Sequence, residues 1–492
     1  MRGNPIGKRA LFRNRRHASY EMDMTEGSLW KKIILYALPL MATGILQLLF
    51  NAADIIVVGR FAGNESLAAV TSTSSLINLV VNLFIGLSVG ASVSVAMHYG
   101  AHKDRDVSET VHTAICLALI GGVLLGIVGF VLAKRLLAMM GSPDGVIDKA
   151  ALYLRIYFAG LPAMMLYNFA AAILRAVGDT RRPMYYLLIA GVLNALMNLF
   201  FVIVLRMDVA GVALATVLSQ CVSMGLVLAC LIRSAGSIRL RPREVRIVPA
   251  KLRQILRVGL PAGIQSTIFS ISNVIIQSSI NSFGATVMAG SGVAQNVEGF
   301  VYTAMNALYQ AALAFSGQNY GAAKYRRIGK TAVVCLVYVL VIGQTLGLAA
   351  YASGKTLLSI YNQDPEVIAM GVTRLRYVCA LYGICGLMDV LCGVLRGIGY
   401  AVMPMLVSIF GVCGIRIGWI FTVFAQSRTL PSLFVSYPVS WTATGLIHAV
   451  CLAVFYRRLL AREERLQPAG GDPRQSLQDT DAGGDAAERR ET

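Results

Sequence analysis

Long apolar segments constrain this chain more than any other feature. About twelve segments reach the ~20 residues that a membrane-spanning helix needs. Because the bilayer offers no water to backbone groups, each segment is expected to be an α-helix. Hydrophobic residues make up 56% of the 492 residues and charged residues only 14%, against roughly 25% charged in soluble domains. The sequence predicts an all-α, polytopic membrane protein with spans near 31–58, 66–97, 107–133, 147–173, 184–206, 209–233, 253–280, 287–317, 329–352, 366–395, 402–425 and 433–457.

The basic residues predict the orientation of these spans. The formal net charge is +19, and with loops assigned alternately about 33 Lys and Arg fall on the N-terminal side and about 7 on the other. This is the positive-inside pattern, so a multi-pass plasma-membrane protein with both termini in the cytoplasm is predicted. Because topology accounts for the charge, no nucleic-acid partner is expected. The protein is expected to lie in the lipid bilayer as a monomer.

Cysteine, histidine and loop motifs indicate no cofactor. The nine cysteines lie in apolar segments without a CxxC pair, and the five histidines are scattered, so a metal centre is not expected. SGKT at 353–356 lacks the earlier glycine and the preceding strand of a phosphate loop, so ATP is not the expected driver. No nucleophile and base are gathered at one interface, and an enzyme is therefore not expected.

The two halves of the chain repeat each other. A shift of about 221 or 222 residues places Asn51 on Asn273, and YGAHK at 99–103 on YGAAK at 320–324. Six spans return the chain to its starting side, so the copies share one orientation, as in transporters with parallel repeats. The sequence thus predicts two six-helix bundles, divided as a cytoplasmic extension (1–27), an N-terminal lobe (28–233), a cytoplasmic linker (234–252), a C-terminal lobe (253–460) and a disordered cytoplasmic tail (461–492).

The first span carries an acid, Asp54, inside an apolar run. A carboxylate there costs at least about 2.5 kcal/mol on insertion scales, and such residues usually face a cavity or bind something. Gln47 and Asn51 precede it at helical spacing, so the three form one polar stripe. We predict that this stripe lines an aqueous path. The alternative is a seam of hydrogen bonds between helices.

Polar stripes on other spans extend this prediction, and they differ between the lobes. The repeat places Asp54 on Ile276 and Asp389 on Asn168, so each lobe holds an acid that the other lacks. Because the acids differ between two lobes that otherwise repeat each other, the lobes are expected to have different roles. The predicted substrate-cavity residues are Gln47, Asn51, Asn78, Asn168, Asn273, Gln277, Gln295, Glu298, Tyr302 and Asp389.

Glu298 is a further acid inside a predicted span. It shares a helical face with Gln295 and Tyr302, and a carboxylate beside aromatic rings suits a bulky lipophilic cation. Contact with a ligand is therefore the favoured interpretation. The alternative is an ion pair with a buried arginine such as Arg416. Arg374, near the outer end of its span, is predicted to extend toward the interface.

Three motifs carry a resemblance to a known family: LPLMATGILQLLFNAADIIVVGRFAG at 38–63, ILRAVGDTRRPM at 173–184 and SGQNYGAAK at 316–324. With the repeat, they resemble the multidrug and toxic compound extrusion (MATE) transporters over about residues 28–460. The resemblance implies two six-helix bundles, a central cavity, and export of organic cations in exchange for Na⁺ or H⁺.

The resemblance also implies a cation-coupling cluster of Asp54, Asn194, Asn198 and Thr216. In some family members an acid stands at the Asn198 position, so the resemblance leaves both Na⁺ and H⁺ open as the coupling ion. Two rival functions remain. One is a lipid or polysaccharide flippase of the same superfamily, and the more distant one is a membrane-embedded enzyme.

Overall fold

The structure is a computed structural model that describes residues 20–62, 64–139 and 144–466. Within these ranges the chain is helical and contains no β-strand, as predicted. Ten of the described helices are long and apolar enough to cross a membrane, and a bent pair of helices makes an eleventh span. A further helix, Ala285–Gly321, has 37 residues but more polar side chains. The predicted twelve-helix fold is confirmed.

The first six helices form the N-terminal lobe. α1 continues into a π turn at Val58–Ala62, and α5 into another at Phe200–Val204. π turns inside α-helices frequently mark functional sites. The helices are α1 (Leu29–Val57), α2 (Asn64–Gly100), α3 (Asp104–Met139), α4 (Asp144–Ala159 with Leu161–Ala176), α5 (Arg181–Leu199) and α6 (Asp208–Arg233).

The other six helices form the C-terminal lobe. A short helix, Gly354–Ser359, lies between its third and fourth members. α11 contains two π turns, at Ile409–Gly414 and Ile420–Phe424. The helices are α7 (Pro249–Asn281), α8 (Ala285–Gly321), α9 (Tyr325–Ala352), α10 (Pro365–Gly397), α11 (Val402–Phe424) and α12 (Leu430–Leu466).

Three predicted segments differ in detail from the structure. The span predicted at 147–173 is two helices that meet at Gly160 with a bend of 46°, because Pro162 lacks the N–H that would continue the helix. In the tail predicted at 461–492, residues 461–466 belong to α12, which runs to Leu466, and residues 467–492 lie outside the described ranges. The linker predicted at 234–252 ends earlier, because α7 begins at Pro249.

α1 packs on both lobes. Its first half is buried in the core of the C-terminal lobe, where the Tyr36 ring meets the Phe315 ring of α8 edge-on at 5.7 Å. Its second half lies against the N-terminal lobe, where the Phe50 ring fills the space beside Gly191 of α5. Pro39 lies in the first half of this continuous helix. A single helix therefore connects the interiors of the two lobes.

Glycines bring the lobes into close contact where α2 crosses α7. Gly86 and Gly90 of α2 face Gly259 and Gly263 of α7. A methyl group on Gly259 would lie 2.8 Å from the Leu87 carbonyl oxygen, and one on Gly90 would overlap the α7 backbone. Small residues four apart allow such close backbone approach in membrane helices. This crossing lies toward the side where α1 begins and α12 ends, which we call the terminal side.

The segment 20–28 packs against the C-terminal lobe on the terminal side. Met24 is fully buried, its N–H donates to Gln318 Oε1 at 3.2 Å, and its carbonyl accepts from Asn319 Nδ2 at 3.2 Å. Arg327 Nη2 donates to the carbonyls of Glu26 and Gly27, both at 2.8 Å. Part of the extension predicted at 1–27 is thus an ordered contact, while residues 1–19 lie outside the described ranges.

The same segment also holds the N-terminal lobe. The Met22 N–H donates to the Val177 carbonyl at 3.2 Å, and the Tyr99 hydroxyl donates to the Glu21 carboxylate at 2.9 Å. Burial raises the pKa of the Glu21 carboxyl above its ordinary value, although the Tyr99 hydrogen bond acts in the opposite direction. Segment 20–28 therefore bridges the two lobes at the side where the α2–α7 crossing also joins them.

Candidate functional site

The four predicted cation-coupling residues meet inside the N-terminal lobe. Asn198 Nδ2 donates to Asp54 Oδ1 and, at 3.2 Å, to Asn194 Oδ1. Asn194 Nδ2 in turn lies 3.5 Å from Thr216 Oγ1. Three helices supply these side chains: α1 the acid, α5 the two amides one turn apart, and α6 the hydroxyl. We call this group the Asp54 cluster.

The Asp54 cluster holds oxygen atoms that lack partners. The Asn198 side chain is fully buried, and none of the described residues donates a hydrogen bond to its Oδ1. Among the described residues Asp54 has no ion-pair partner, and Asn198 is its hydrogen-bond donor. A carboxylate and an unsatisfied amide oxygen are hard ligands of the kind that a small cation or a proton would satisfy.

The cluster does not have the ligand set of a multivalent metal centre. Within the described ranges, no three His, Cys, Asp or Glu side chains are grouped closely enough to hold a metal ion. One carboxylate with amide and hydroxyl oxygens carries a single negative charge. Its chemistry therefore fits a monovalent ion.

Gln47 and Asn51 lie on the stripe of α1 that leads to Asp54. On this helix Gly44 and Leu48 face α8, at Thr303 and Gly299, while Phe50 faces α5. The helical spacing puts Gln47 and Asn51 between these two contacts, and both side chains are exposed. They therefore face the space between the lobes, next to the Asp54 cluster.

A second site is a cavity of about 570 Å³ in the C-terminal lobe. Its walls come from α7, α8, α10, α11 and α12, and Asn82 of α2 reaches its edge, where Asn82 Nδ2 donates to Ser270 Oγ at 3.2 Å. The predicted cavity residues that line it are Asn273, Gln277, Gln295, Glu298, Tyr302 and Asp389. We call it the C-lobe cavity.

Four predicted cavity residues lie elsewhere. Gln47, Asn51 and the exposed Asn78 do not line the C-lobe cavity. Asn168 lies in α4 of the other lobe, where its Nδ2 donates to the Met164 carbonyl of its own helix at 2.9 Å. Its amide group thus satisfies a backbone acceptor, so its assignment to the substrate cavity is not supported by the geometry.

Glu298 lines the cavity, but its carboxylate is bonded to an arginine, and its contact with a ligand stays a prediction. Its carboxylate accepts two hydrogen bonds from the Arg374 guanidinium, from Nε at 2.7 Å and Nη2 at 3.0 Å. Arg374 Nη1 donates to Ser291 Oγ at 2.8 Å. Arg374 is 2% exposed. The prediction that it extends toward the interface is therefore wrong. The alternative of a pair with a buried arginine is correct, but the partner is Arg374 and not Arg416.

Asp389 and Arg416 are the other charged groups in the cavity wall. Among the described residues Asp389 has no hydrogen bond or ion pair, so its carboxylate is available to a ligand. Arg416 donates from Nε to Ser440 Oγ at 2.9 Å and lies over the Tyr437 ring, 4.2 Å from its centroid. With Glu298 and Arg374 neutralising each other, the cavity presents one free charge of each sign.

Several basic and aromatic residues of this cavity were not predicted from the sequence. Arg374, Tyr382, Tyr437 and Trp441 line it but were absent from the predicted set. Arginines inside apolar spans were the available signal, because such residues usually face the bundle interior. The aromatic residues gave no signal, since rings are common in apolar helices.

The comparisons with known proteins agree with this architecture. The MatE family model matches residues 39–200 and again residues 261–422, so the two matches begin 222 residues apart. The probable multidrug resistance protein YpnP of Bacillus subtilis is 26% identical over 396 residues, covering 80% of this chain and 88% of that protein. The probable multidrug resistance protein YoeA of the same organism is 26% identical over 430 residues, covering 85% and 92%.

A solved structure shares the fold. The crystal structure of MATE in the bent conformation superposes with a TM-score of 0.83 at 22% identity, covering 90% of this chain and 98% of that one. The family model matches well over half of this chain. The chain therefore belongs to the MATE family of multidrug efflux transporters and is a multi-pass membrane transporter, not an enzyme.

Proposed function

We propose that this protein exports organic cations or drugs in exchange for Na⁺ or H⁺, and that the ion binds at the Asp54 cluster. The observation that carries the proposal is that, among the described residues, the buried Asn198 Oδ1 has no donor and the adjacent Asp54 carboxylate has no ion-pair partner. Both groups gain a partner when a monovalent cation enters, and protonation of Asp54 supplies a donor in place of the ion. Either event removes an unpaired charge from a region where such charges are costly.

The position of α1 supports coupling between this ion and the substrate. Asp54 lies in the half of α1 that packs on the N-terminal lobe, while Tyr36 anchors the other half to Phe315 of the C-terminal lobe. Pro39 weakens the helix near this anchor, because its ring replaces one backbone hydrogen bond. A change at Asp54 would shift α1 against α8, a wall of the C-lobe cavity, because Gly44 of α1 lies against Thr303 of α8. Ion and drug then oppose each other through one helix, which is the reciprocity that exchange requires.

The cavity and the charge pattern support the proposed substrate and direction. The free Asp389 carboxylate and the rings of the C-lobe cavity suit an organic cation. YpnP and YoeA carry the name of multidrug resistance proteins, which supports small organic substrates here. With both termini in the cytoplasm of the plasma membrane, as the basic residues predict, the α2–α7 crossing closes the cytoplasmic side. The lobes would then receive the ion from outside and release the drug there.

The test is dye efflux from proteoliposomes under an imposed Na⁺ gradient and, separately, a proton gradient. We expect one of the two gradients to drive efflux of a cationic dye by the wild type and not by Asp54→Asn. The substitution removes one charge at constant volume, so insertion and folding should persist. Asp148→Asn is the matched control, because Asp148 lies at the surface with 79% of its side chain exposed.

Equilibrium binding separates coupling from simple loss of transport. Raising Na⁺ or lowering the pH should weaken dye binding to the wild type and leave binding to Asp54→Asn unchanged. Efflux by Asp54→Asn at the wild-type rate under both gradients would overturn the assignment of the ion site. A wild-type dye affinity that responds to neither ion would overturn coupling through α1.

A further inference from the structure

Arg416 is a buried cation, and none of the described acids forms an ion pair with it. Its side chain is 6% exposed in the wall of the C-lobe cavity, and Nε donates to Ser440 Oγ at 2.9 Å. In the described part of the chain, no carboxylate lies within ion-pair distance of its guanidinium, and its two Nη groups have no hydrogen-bond acceptor. An unpaired charge at this depth is costly, so a compensating ligand is expected.

The same cavity contains an internal comparison. Arg374, 2% exposed, has both Glu298 oxygens and Ser291 as acceptors. Among the described residues, Arg374 thus has three acceptor atoms, whereas Arg416 has Ser440 Oγ alone. This difference separates a structural arginine from one whose donors remain available.

Aromatic rings surround the available donors. The Arg416 guanidinium carbon lies 4.2 Å from the Tyr437 centroid and 5.7 Å from that of Trp441. Trp441 also contacts Tyr382, with ring centroids 5.5 Å apart. These contacts and the Nε hydrogen bond restrict the orientation of the planar guanidinium. A fixed guanidinium presents two parallel N–H groups, which is the geometry that binds a carboxylate with two hydrogen bonds.

We propose that Arg416, with the Tyr437 and Trp441 rings, forms a subsite for the carboxylate of an aromatic substrate. Asp389 faces the same cavity without a partner, so the preferred substrate carries a carboxylate in addition to its cationic part. The inference deepens the proposed function and rests on it. In this arrangement Asp389 binds the cationic part of a zwitterionic drug, and Arg416 binds its carboxylate.

A matched pair of dyes tests the subsite. Rhodamine B carries a cationic xanthene and a free carboxylate, and its methyl ester keeps the cation without the carboxylate. Fluorescence anisotropy with the purified full-length protein would measure the dissociation constant of each dye. A hydrogen bond to a charged group contributes more to binding than one between neutral groups. We therefore expect the wild type to bind the acid about tenfold more tightly than the ester.

Three variants identify the responsible group. Arg416→Gln should bring the ratio of the two dissociation constants to about one, while Arg416→Lys, which keeps the charge but loses the planar fork, should retain part of the preference. Ser440→Ala removes the Nε acceptor and should lower the ratio without removing the charge, which keeps the test available if Arg416→Gln does not fold. Exposed Arg428→Gln is the control and should preserve the wild-type ratio.

The outcomes distinguish this inference from the proposed function. Equal wild-type affinity for acid and ester would overturn the subsite, as would a preference for the acid that survives Arg416→Gln. Ion-driven efflux of the methyl ester would still support the antiporter in either case. Failure of both gradients to drive either dye would count against the proposed function instead.

Discussion

Glu298 on α8 and Arg374 on α10 form a bidentate ion pair, with N–O distances of 2.7 and 3.0 Å, inside the wall of the C-lobe cavity. Both side chains are almost fully buried, and Ser291 accepts a third hydrogen bond from the guanidinium. An acid and a base that bond to each other so completely hold two helices together. Asp389 and Arg416 are the charged groups of the described cavity wall that have no ion-pair partner.

The pair predicts a stability effect for Glu298→Gln. Removing one partner leaves the Arg374 charge buried and unpaired, which typically costs about 3–5 kcal/mol. We expect a clear fall in the thermal unfolding temperature of the purified protein. The double variant Glu298→Gln with Arg374→Gln should recover part of the loss. Glu366→Gln, at an exposed position, is the control. A single variant as stable as the wild type would contradict the structural role.

Asn198→Ala should abolish stabilisation by the coupling ion. The substitution removes both the amide that donates to Asp54 and the unsatisfied Oδ1. An ion at 100 times its dissociation constant stabilises the folded state by about 2.7 kcal/mol. The wild type should therefore melt at a higher temperature in the presence of Na⁺ or at lower pH. Asn168→Ala, whose amide bonds to its own helix, should keep that response, and an equal response in Asn198→Ala would refute the site.

Gly90→Ala should disturb the crossing of α2 and α7. The added methyl group would overlap the Ile255 carbonyl oxygen and the Gly259 backbone, and overpacking costs typically about 1–3 kcal/mol. We expect a lower unfolding temperature and slower dye efflux. Gly225→Ala on α6 is the matched control, because a methyl group there meets no atom within 4 Å. An unfolding temperature for Gly90→Ala equal to that of Gly225→Ala would show that the helices can move apart freely.

Arg327→Ala should release segment 20–28 from the C-terminal lobe. Arg327 donates to the carbonyls of Met24, Glu26 and Gly27, and the loss of about 1.4 kcal/mol corresponds to a tenfold change in the opening equilibrium. Hydrogen–deuterium exchange of this segment, followed by mass spectrometry, should be about tenfold faster or more. The neighbouring exposed Arg326→Ala is the control. Identical exchange in both variants would mean that other contacts suffice.

Sequence patterns determined the architecture and the Asp54 cluster. Spans are readable because their length and apolarity are set by the bilayer and not by contacts with other helices. The repeat was visible in motifs such as 99–103 and 320–324, and the family model later matched both halves. Asp54, Asn194, Asn198 and Thr216 came from the resemblance, and the structure brings them together. Their role in ion binding stays a prediction.

Only the tertiary structure decided which charges are free. Glu298 and Arg374 are separated by 76 residues, and helical spacing gives the face of each side chain but not the helix that this face meets. Rotation and crossing of the helices follow from packing among all twelve, so the sequence could not choose between Arg374 and Arg416 as the partner. For the same physical reason, the contacts of α1 with both lobes could be seen only in the folded chain. The hydrogen bond from Arg416 to Ser440 was likewise visible only there.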